Sequence, residues 1–334
     1  MIETLQVEAF LNARDNGPGV TKPSIILADD GNKYFLKGNL GKFGEQLISL
    51  DASLAQEAIC YKLAKILNVP TPAFVFIEIT DEDLSDFPDL RFSTNIVKPG
   101  IYLGVRSVDN LLTQELNLIL NELNFKVPGA KRRLNNLASQ ISNKSDIPKI
   151  VYFDFLTANV DRYQNPGNIL LHRSNNGKIV LSIDFGYCFF GPYWKSRDYI
   201  AGFKKVDLLQ KRNFSDNSWL TFLISALGKN RDLKETLLFK LFDPLIDCKS
   251  SANPFNDIYC STKLLTPSTL TTMINSIPTS WFIEGDYQKN LYLQFLLNQV
   301  NTLPNIFDYL VSRNYFTNIS GGGLFWGDKN ILSQ

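Results

Sequence analysis

Apolar and polar positions alternate through most of the first hundred residues, and helical spacing takes over after that. Residues 4–10, 24–28 and 33–37 read as strands, and Asp29-Asp30-Gly31-Asn32 is a strong turn signal before the third. Together they predict a small antiparallel sheet over residues 4–36. Residues 12–22 form a loop with two glycines and a proline, and residues 38–44 form a second, looser loop. Residues 53–67 carry apolar side chains at helical spacing. Ser53 is placed to cap this helix, Gln56 completes a capping-box pattern, and Pro70 and Pro72 end it. A strand over 73–79, an acidic surface loop over 80–89 and a strand over 101–106 follow. Leucines then recur at helical spacing over 111–125, Pro128-Gly129 breaks the pattern, and a helix is expected over 130–141. Its Lys131, Arg132 and Arg133 fit a solvated face better than a phosphate site. Further helices are expected over 219–227, 233–245, 268–277 and 286–310, with a long loop over 248–266. Residues 320–329 are glycine-rich, and Phe325 and Trp326 could form a docking patch there. No period of 20 to 50 residues repeats, which excludes solenoid architectures.

The segment over residues 150–190 breaks this regularity and concentrates the polar chemistry. An apolar helix-like run leads into a polar loop with Asp161, Arg162, Asn165 and Asn168. A strand over 169–171, a turn at Asn175-Asn176-Gly177, a strand over 179–183 and Asp184-Phe185-Gly186 follow. A hairpin after the loop can bring Asn168 and Asp184 to one end of its two strands. Phosphoryl transfer from ATP needs a carboxylate to orient the attacking group and oxygen ligands for the magnesium that bridges the phosphates. Magnesium takes a few carboxylate or amide oxygens plus phosphate and water. Asp161 fits the catalytic carboxylate, and Asn168 and Asp184 fit the metal ligands. The bland alternative is a surface loop rich in turn formers, followed by an Asp at a strand end. Asp-Phe-Gly alone is common; the ordered set of loop Asp, later Asn, hairpin and Ile-Asp-Phe-Gly is far less so.

The run NVDRYQNPGNILL followed by LSIDFG resembles the catalytic loop and metal motif of HipA-like kinases, and is also similar to kinases that act on phosphoinositides. Val160 before the Asp and Arg162 after it match those groups rather than the His-Arg-Asp order of common protein kinases. Asn168 lies seven residues after Asp161, where five is usual, and Asn165 sits between them. The metal role therefore stays open between the two asparagines, with Asn168 favoured because Ile-Leu-Leu follows it directly. The resemblance implies an α+β, bilobal protein-kinase-like fold. Its small β-rich lobe would span residues 1–109 and its mainly helical lobe residues 110–334. It also implies ATP and magnesium as cofactors and transfer to a protein Ser or Thr hydroxyl. A toxin-type role with autophosphorylation, and an antitoxin or inhibitor protein as partner, belong to the same implication. Within this frame Lys37, at the end of the third strand, would hold the nontransferred phosphates and pair with Glu57 on the helix. Gly17 and Gly19 would cover the phosphates, Asn165 would help hold nucleotide, and Arg162 would brace the loop or offset phosphate charge. The adenine would sit against backbone near residues 104–110. Each of these has an ordinary reading too: Lys37 as a solvated strand end, Glu57 as a partner of the helix dipole.

Composition narrows the field further. A net charge of +1 over 334 residues gives no reason to expect nucleic-acid or anionic-membrane binding. Four cysteines make no Cys-x-x-Cys pair, so zinc and thioredoxin-like chemistry are unsupported. His172, the one histidine, argues against histidine-based triads and metal sites. With no signal peptide and no long apolar run, the expected location is cytoplasmic, with reduced thiols. The sequence leaves open three other functions: a lipid or small-molecule phosphotransferase, transfer of AMP instead of phosphate, and a nucleotide-binding pseudokinase serving as an interaction module.

Overall fold

The computed structural model describes residues 4–11, 24–43, 45–88, 90–92, 95–195, 203–210, 217–248, 253–319 and 323–327. Five strands close a small barrel: β1 (Thr4–Leu11), β2 (Ser24–Ala28), β3 (Lys33–Lys37), β9 (Gly100–Arg106) and β6 (Phe74–Ile79), in that spatial order. The expected open antiparallel sheet is therefore incomplete. β1 pairs parallel with β6, Thr4 opposite Phe76 and Gln6 opposite Glu78, and this one pairing joins the two free edges. A bulge between Val7 and Ala9 bends β1 into the closure. Leu5, Val7, Ile26, Ala28, Tyr34, Leu36, Val75, Ile77 and Ile79 fill the interior. Gly104 makes room among them, since a Cβ there would sit 2.8 Å from Ile77 Cγ1 and 3.2 Å from Val75 Cγ2.

Several connections are more ordered than their composition predicts. The loose loop expected over 38–44 is not what its described part forms: Leu40–Phe43 is a strand, β4, in a hairpin with β5 (Gln46–Ser49). The acidic stretch after β6 is helix α2 (Asp81–Asp86). Thr80 caps it, with Asp83 returning the bond to the Thr80 backbone N–H. A two-stranded pair, β7 (Arg91–Phe92) and β8 (Asn95–Ile96), leads to β9.

Helix α1 (Ser53–Ile66) lies between the barrel and the rest of the chain, which is why it is buried on nearly every side. Phe76, Leu103 and Val105 on the barrel's outer face share one apolar core with Ala55, Ile59, Leu63 and the later helices. Its start differs from the capping box expected of Ser53 and Gln56. The Ser53 hydroxyl donates to Leu50 O at 2.8 Å, and Gln56 is fully buried.

Beyond residue 110 the chain is mainly helical: α3 (Thr113–Asn124), α4 (Ala130–Ser139) and α5 (Ile147–Leu156) precede the hairpin of β10 (Ile169–Ser174) and β11 (Gly177–Ser182). After it come α6 (Lys205–Gln210), α7 (Asn217–Leu227), α8 (Leu237–Phe242), α9 (Asn256–Thr262), α10 (Pro267–Asn275) and α11 (Gly285–Ser312). The helix expected over 233–245 is broken into three short pieces around α8, and the loop expected over 248–266 contains α9. α5 is buried along its whole length and packs on α11, whose Gln299 donates to Phe155 O at 2.8 Å. Trp326 is not a free docking residue. Its indole donates to Asp308 at 3.1 Å and its ring meets Tyr259. The aromatics after Gly186 also face inward: Phe189 and Trp194 meet Tyr292, and Phe190 meets Trp219. Among the described residues the four cysteines form no disulfide. Among the described residues no helix is long and apolar enough to cross a membrane.

Candidate active site

Lys37 ends β3 where the barrel wall meets α1 and the segment after β11. Its Nζ lies 3.2 Å from Glu57 Oε1 and 3.4 Å from Asp184 Oδ1. One ammonium thus ties together a barrel strand, the first turns of α1 and the end of the hairpin. Burial works against the charge on Lys37, but Asp184 and Glu57 outweigh it and hold its pKa above the ordinary lysine range. Burial, reinforced by Asp184, pushes the Glu57 carboxyl up to about 7 even with Lys37 beside it. Its Oε2 is buried without a hydrogen-bond partner.

Asp184 sits at φ +60, a left-handed conformation that short polar residues tolerate better than others. Phe185 behind it fixes that turn. The ring is fully buried against Tyr61 of α1, Phe153 of α5 and the guanidinium of Arg162. Gly186 passes close to Glu57, with Oε1 only 3.4 Å from where a Cβ would stand.

The loop from Asp161 to Asn168 folds as two short 3-10 turns, Arg162–Gln164 and Pro166–Asn168. Asp161 Oδ2 accepts from Asn165 Nδ2 at 3.0 Å and Asn168 Nδ2 at 2.9 Å, so both asparagines reach the same carboxylate. Its Oδ1 accepts from Lys229 Nζ at 2.5 Å. Burial raises the Asp161 pKa, but the Lys229 ammonium and the two amides bring it below the usual carboxylate range. Arg162 points the other way. It is fully buried, its Nε lies 3.2 Å from Asp154 Oδ1, and its Nη1 donates to the carbonyls of Asn168 and Ile183. Of the two roles expected for Arg162, bracing the loop matches this position; no face of it is open to offset a phosphate. The same two carbonyls, with Ile183 N donating to Asn168 O at 3.1 Å, hold Asn168 and the residue before Asp184 together at the end of the hairpin.

The donor set suits a magnesium ion on this geometry. Asp184 offers a carboxylate, and Asn168 uses its amide nitrogen on Asp161, which leaves the amide oxygen for a cation. Among the described residues no cluster of three or more His, Cys, Asp or Glu could form an all-protein cage. Magnesium that is also bound by phosphates needs none. Gly17 and Gly19 lie outside the described residues. A cavity of about 390 Å³ adjoins the linker after β9, lined among others by Pro72, Arg106, Ser107, Asp109, Asn110 and His172. None of Lys37, Asp161, Asn168 or Asp184 lines it.

Three functional neighbours escaped the sequence. Asp154 could have been found, because a lone acid inside the apolar run of α5 must be paired when buried. Asn159, which donates to Asp154 at 3.1 Å and accepts from the Asp161 N–H at 3.2 Å, carries no such signal. Lys229 lies 68 residues from Asp161 in a Gly-Lys-Asn turn that looks like any other.

A family model for the HipA-like kinases matches residues 13–194, more than half of the chain and all of the site described above except Lys229. The chain belongs to the HipA-like kinase family. Among solved structures, this HipA-like kinase is similar to the Helicobacter pylori proinflammatory kinase CtkA, with a TM-score of 0.52 at 10% identity over 91% of this chain and 98% of that one. That likeness establishes a kinase-like fold of mixed α and β structure. A weaker likeness, TM-score 0.39 at 14% identity, links it to HipA of Shewanella oneidensis, crystallised with HipB and operator DNA. It covers 81% of this chain and 58% of HipA. A search of curated protein sequences finds no match.

Proposed function

We propose that this HipA-like kinase transfers the γ-phosphate of ATP, with magnesium, to a Ser or Thr hydroxyl of a protein, its own chain included. The observation that carries this reading is the position of Lys37, bonded at once to Glu57 and Asp184. That triangle puts a cation, a cation-holder and a metal-suited carboxylate at one place, where the barrel, α1 and the hairpin meet. In this reading the β-rich part, residues 1–109, and the helical part, residues 110–334, act as the two lobes around the nucleotide.

Asp161 accepts the proton of the attacking hydroxyl and orients it. Its depressed pKa keeps it ionised and ready near neutral pH, and the Asn165 and Asn168 amides hold its second oxygen in place. Lys37 holds the nontransferred phosphates, and Glu57 keeps Lys37 in position. Asn168 and Asp184 hold magnesium, which neutralises phosphate charge when bound. Arg162 acts from beneath by fixing the carbonyls of Asn168 and Ile183. Family membership supports the protein acceptor and, with it, an antitoxin or inhibitor protein as a partner.

Intact-mass spectrometry after incubation with ATP and magnesium, alone and with cell lysate, tests the reading beside Asp161→Ala. A phosphate-sized gain that is lost in the variant is the expected result. An AMP-sized gain would replace phosphoryl transfer with nucleotidyl transfer, and a gain that survives in Asp161→Ala would remove Asp161 from the chemistry.

A further inference from the structure

We infer that Lys229, which reaches the loop from a turn beyond α7, is a catalytic residue, the cation that meets the transferring phosphate beside Asp161. This assignment rests on the kinase reading above. During transfer the acceptor oxygen bonds to the γ-phosphorus while the bond from that phosphorus to the bridging oxygen breaks. The acceptor proton passes to Asp161, and ADP leaves with the electron pair. Negative charge on the moving phosphoryl group calls for a fixed cation close to the base. The loop from Asp161 to Asn168 has one cation, Arg162, and it is buried on Asp154 and two carbonyls. Lys37 is engaged by Glu57 and Asp184.

Lys229 fills the gap. Its Nζ is 2.5 Å from Asp161 Oδ1, yet the side chain keeps 45% of its surface exposed. An ammonium has three donors, and the bond to Asp161 uses one. The turn that presents it is tightly closed and bonded to the loop. Lys229 and Asn230 both adopt left-handed backbone, at φ 49 and 62, closing α7 through bonds to Ala226 O and Ser225 O. Gly228 permits the close approach, because a Cβ there would stand 2.3 Å from Arg231 O. Gln164, inside the catalytic loop, donates to Gly228 O at 3.2 Å and fastens the turn to it. The charged and polar groups around the Asp161 carboxyl are Lys229 from the turn, Asn165 and Asn168 from the loop, and more distantly Tyr187 from the segment after Gly186.

The test compares wild type, Lys229→Met, Lys229→Arg and Gly228→Ala as full-length proteins with γ-labelled ATP and magnesium. Label on the kinase itself and on added casein is followed together with ADP release. Lys229→Met should lose about 100-fold in kcat, as removal of one transition-state donor does, with KM for ATP near the wild-type value. Lys229→Arg should restore much of the rate, and Gly228→Ala should fall between. An inactive wild type overturns the kinase reading and this assignment together. An active wild type with Lys229→Met at least as fast overturns this assignment alone. So does an equal loss in the Met and Arg variants with a lowered Tm, which would mark a purely structural lysine.

Discussion

Removing the carboxylate of Asp154 should unfold this protein several degrees earlier and slow it while it is still folded. Asp154 and Arg162 are both fully inaccessible to solvent, 3.2 Å apart, on α5 and at the start of the loop from Asp161 to Asn168. In Asp154→Ala the guanidinium keeps its bonds to the carbonyls of Asn168 and Ile183 but loses its counter-charge. Breaking one side of a buried pair costs about 3–5 kcal/mol. Unfolding entropy of about 2.1 cal/mol/K per residue, over 334 residues, gives about 0.7 kcal/mol/K. The expected drop in Tm is therefore about 4–7 °C, read by calorimetry or circular dichroism. The double variant Asp154→Ala/Arg162→Met removes both charges and should recover part of the loss. Recovery stays incomplete because Ile183 O loses the Arg162 donor and Asn168 O keeps only the Ile183 N–H. Phosphate transfer by Asp154→Ala at 25 °C should also fall, since those carbonyls fix Asn168 and the approach to Asp184. A Tm within about 1 °C of wild type would refute the reasoning, given the magnitude expected for a buried pair.

Lys37→Met should reduce transfer by about 100-fold or more and lower Tm at neutral pH. Glu57, already raised to about 7 by burial and Asp184, is then left without its cation. Because Glu57 is relieved by taking a proton, that Tm deficit should shrink as pH falls toward 5; a pH-independent deficit would contradict the pairing. Lys205, buried with its ammonium on Gly191 O and the side chain of Gln56, has its pKa pushed down to about 7 by burial. Between that value and the unfolded lysine's ordinary value only the unfolded chain binds the proton, so stability should rise with pH by about 1.4 kcal/mol per unit. Lys205→Met should abolish this slope in denaturant titrations between pH 7 and 9. Gly104→Ala should cost about 1–3 kcal/mol by forcing Ile77 aside in the barrel interior, measurable as a lower urea midpoint with unchanged slope.

The candidate site was legible where its chemistry is local. Asp161, Asn168 and Asp184 are ordered along one short stretch, and the hairpin between them needs only a turn signal at Asn175-Asn176-Gly177. Lys37 and Glu57 could be paired because a strand end and the start of the next helix are close in sequence. Lys229 was out of reach because its meaning depends on a tertiary contact across 68 residues, and its turn chemistry resembles that of any helix end. The fold divides the same way. Alternation identified β1, β2, β3, β6 and β9, but nothing in it says that the first pairs with β6 in parallel. The stretches over 38–44, 80–89 and 248–266 were read as loops from their glycines and charges. In fact a hairpin, a capped helix and α9 satisfy the backbone there. Ser53 and Gln56 misled because the same residue types serve a helix cap and a buried network. Gln56 places its amide nitrogen 2.9 Å from Gly186 O and 3.2 Å from Gly191 O and presents its oxygen to Lys205.

The parallel seam between β1 and β6 also constrains how the chain can be made. Thr4 meets Phe76 and Tyr34 meets Arg106, so β1 lacks its second neighbour until β6 has left the ribosome, and β3 lacks its own until β9 has. Until then the first three strands form a meander with two unpaired edges, the kind of surface that invites pairing with other chains. Such long-range pairing is slow to nucleate. α1 is synthesised within that interval and cannot dock until Phe76, Leu103 and Val105 exist to receive it. Because Lys37 and Glu57 sit on either side of that docking surface, their ion pair, at the heart of the proposed nucleotide site, can form only after the barrel has closed.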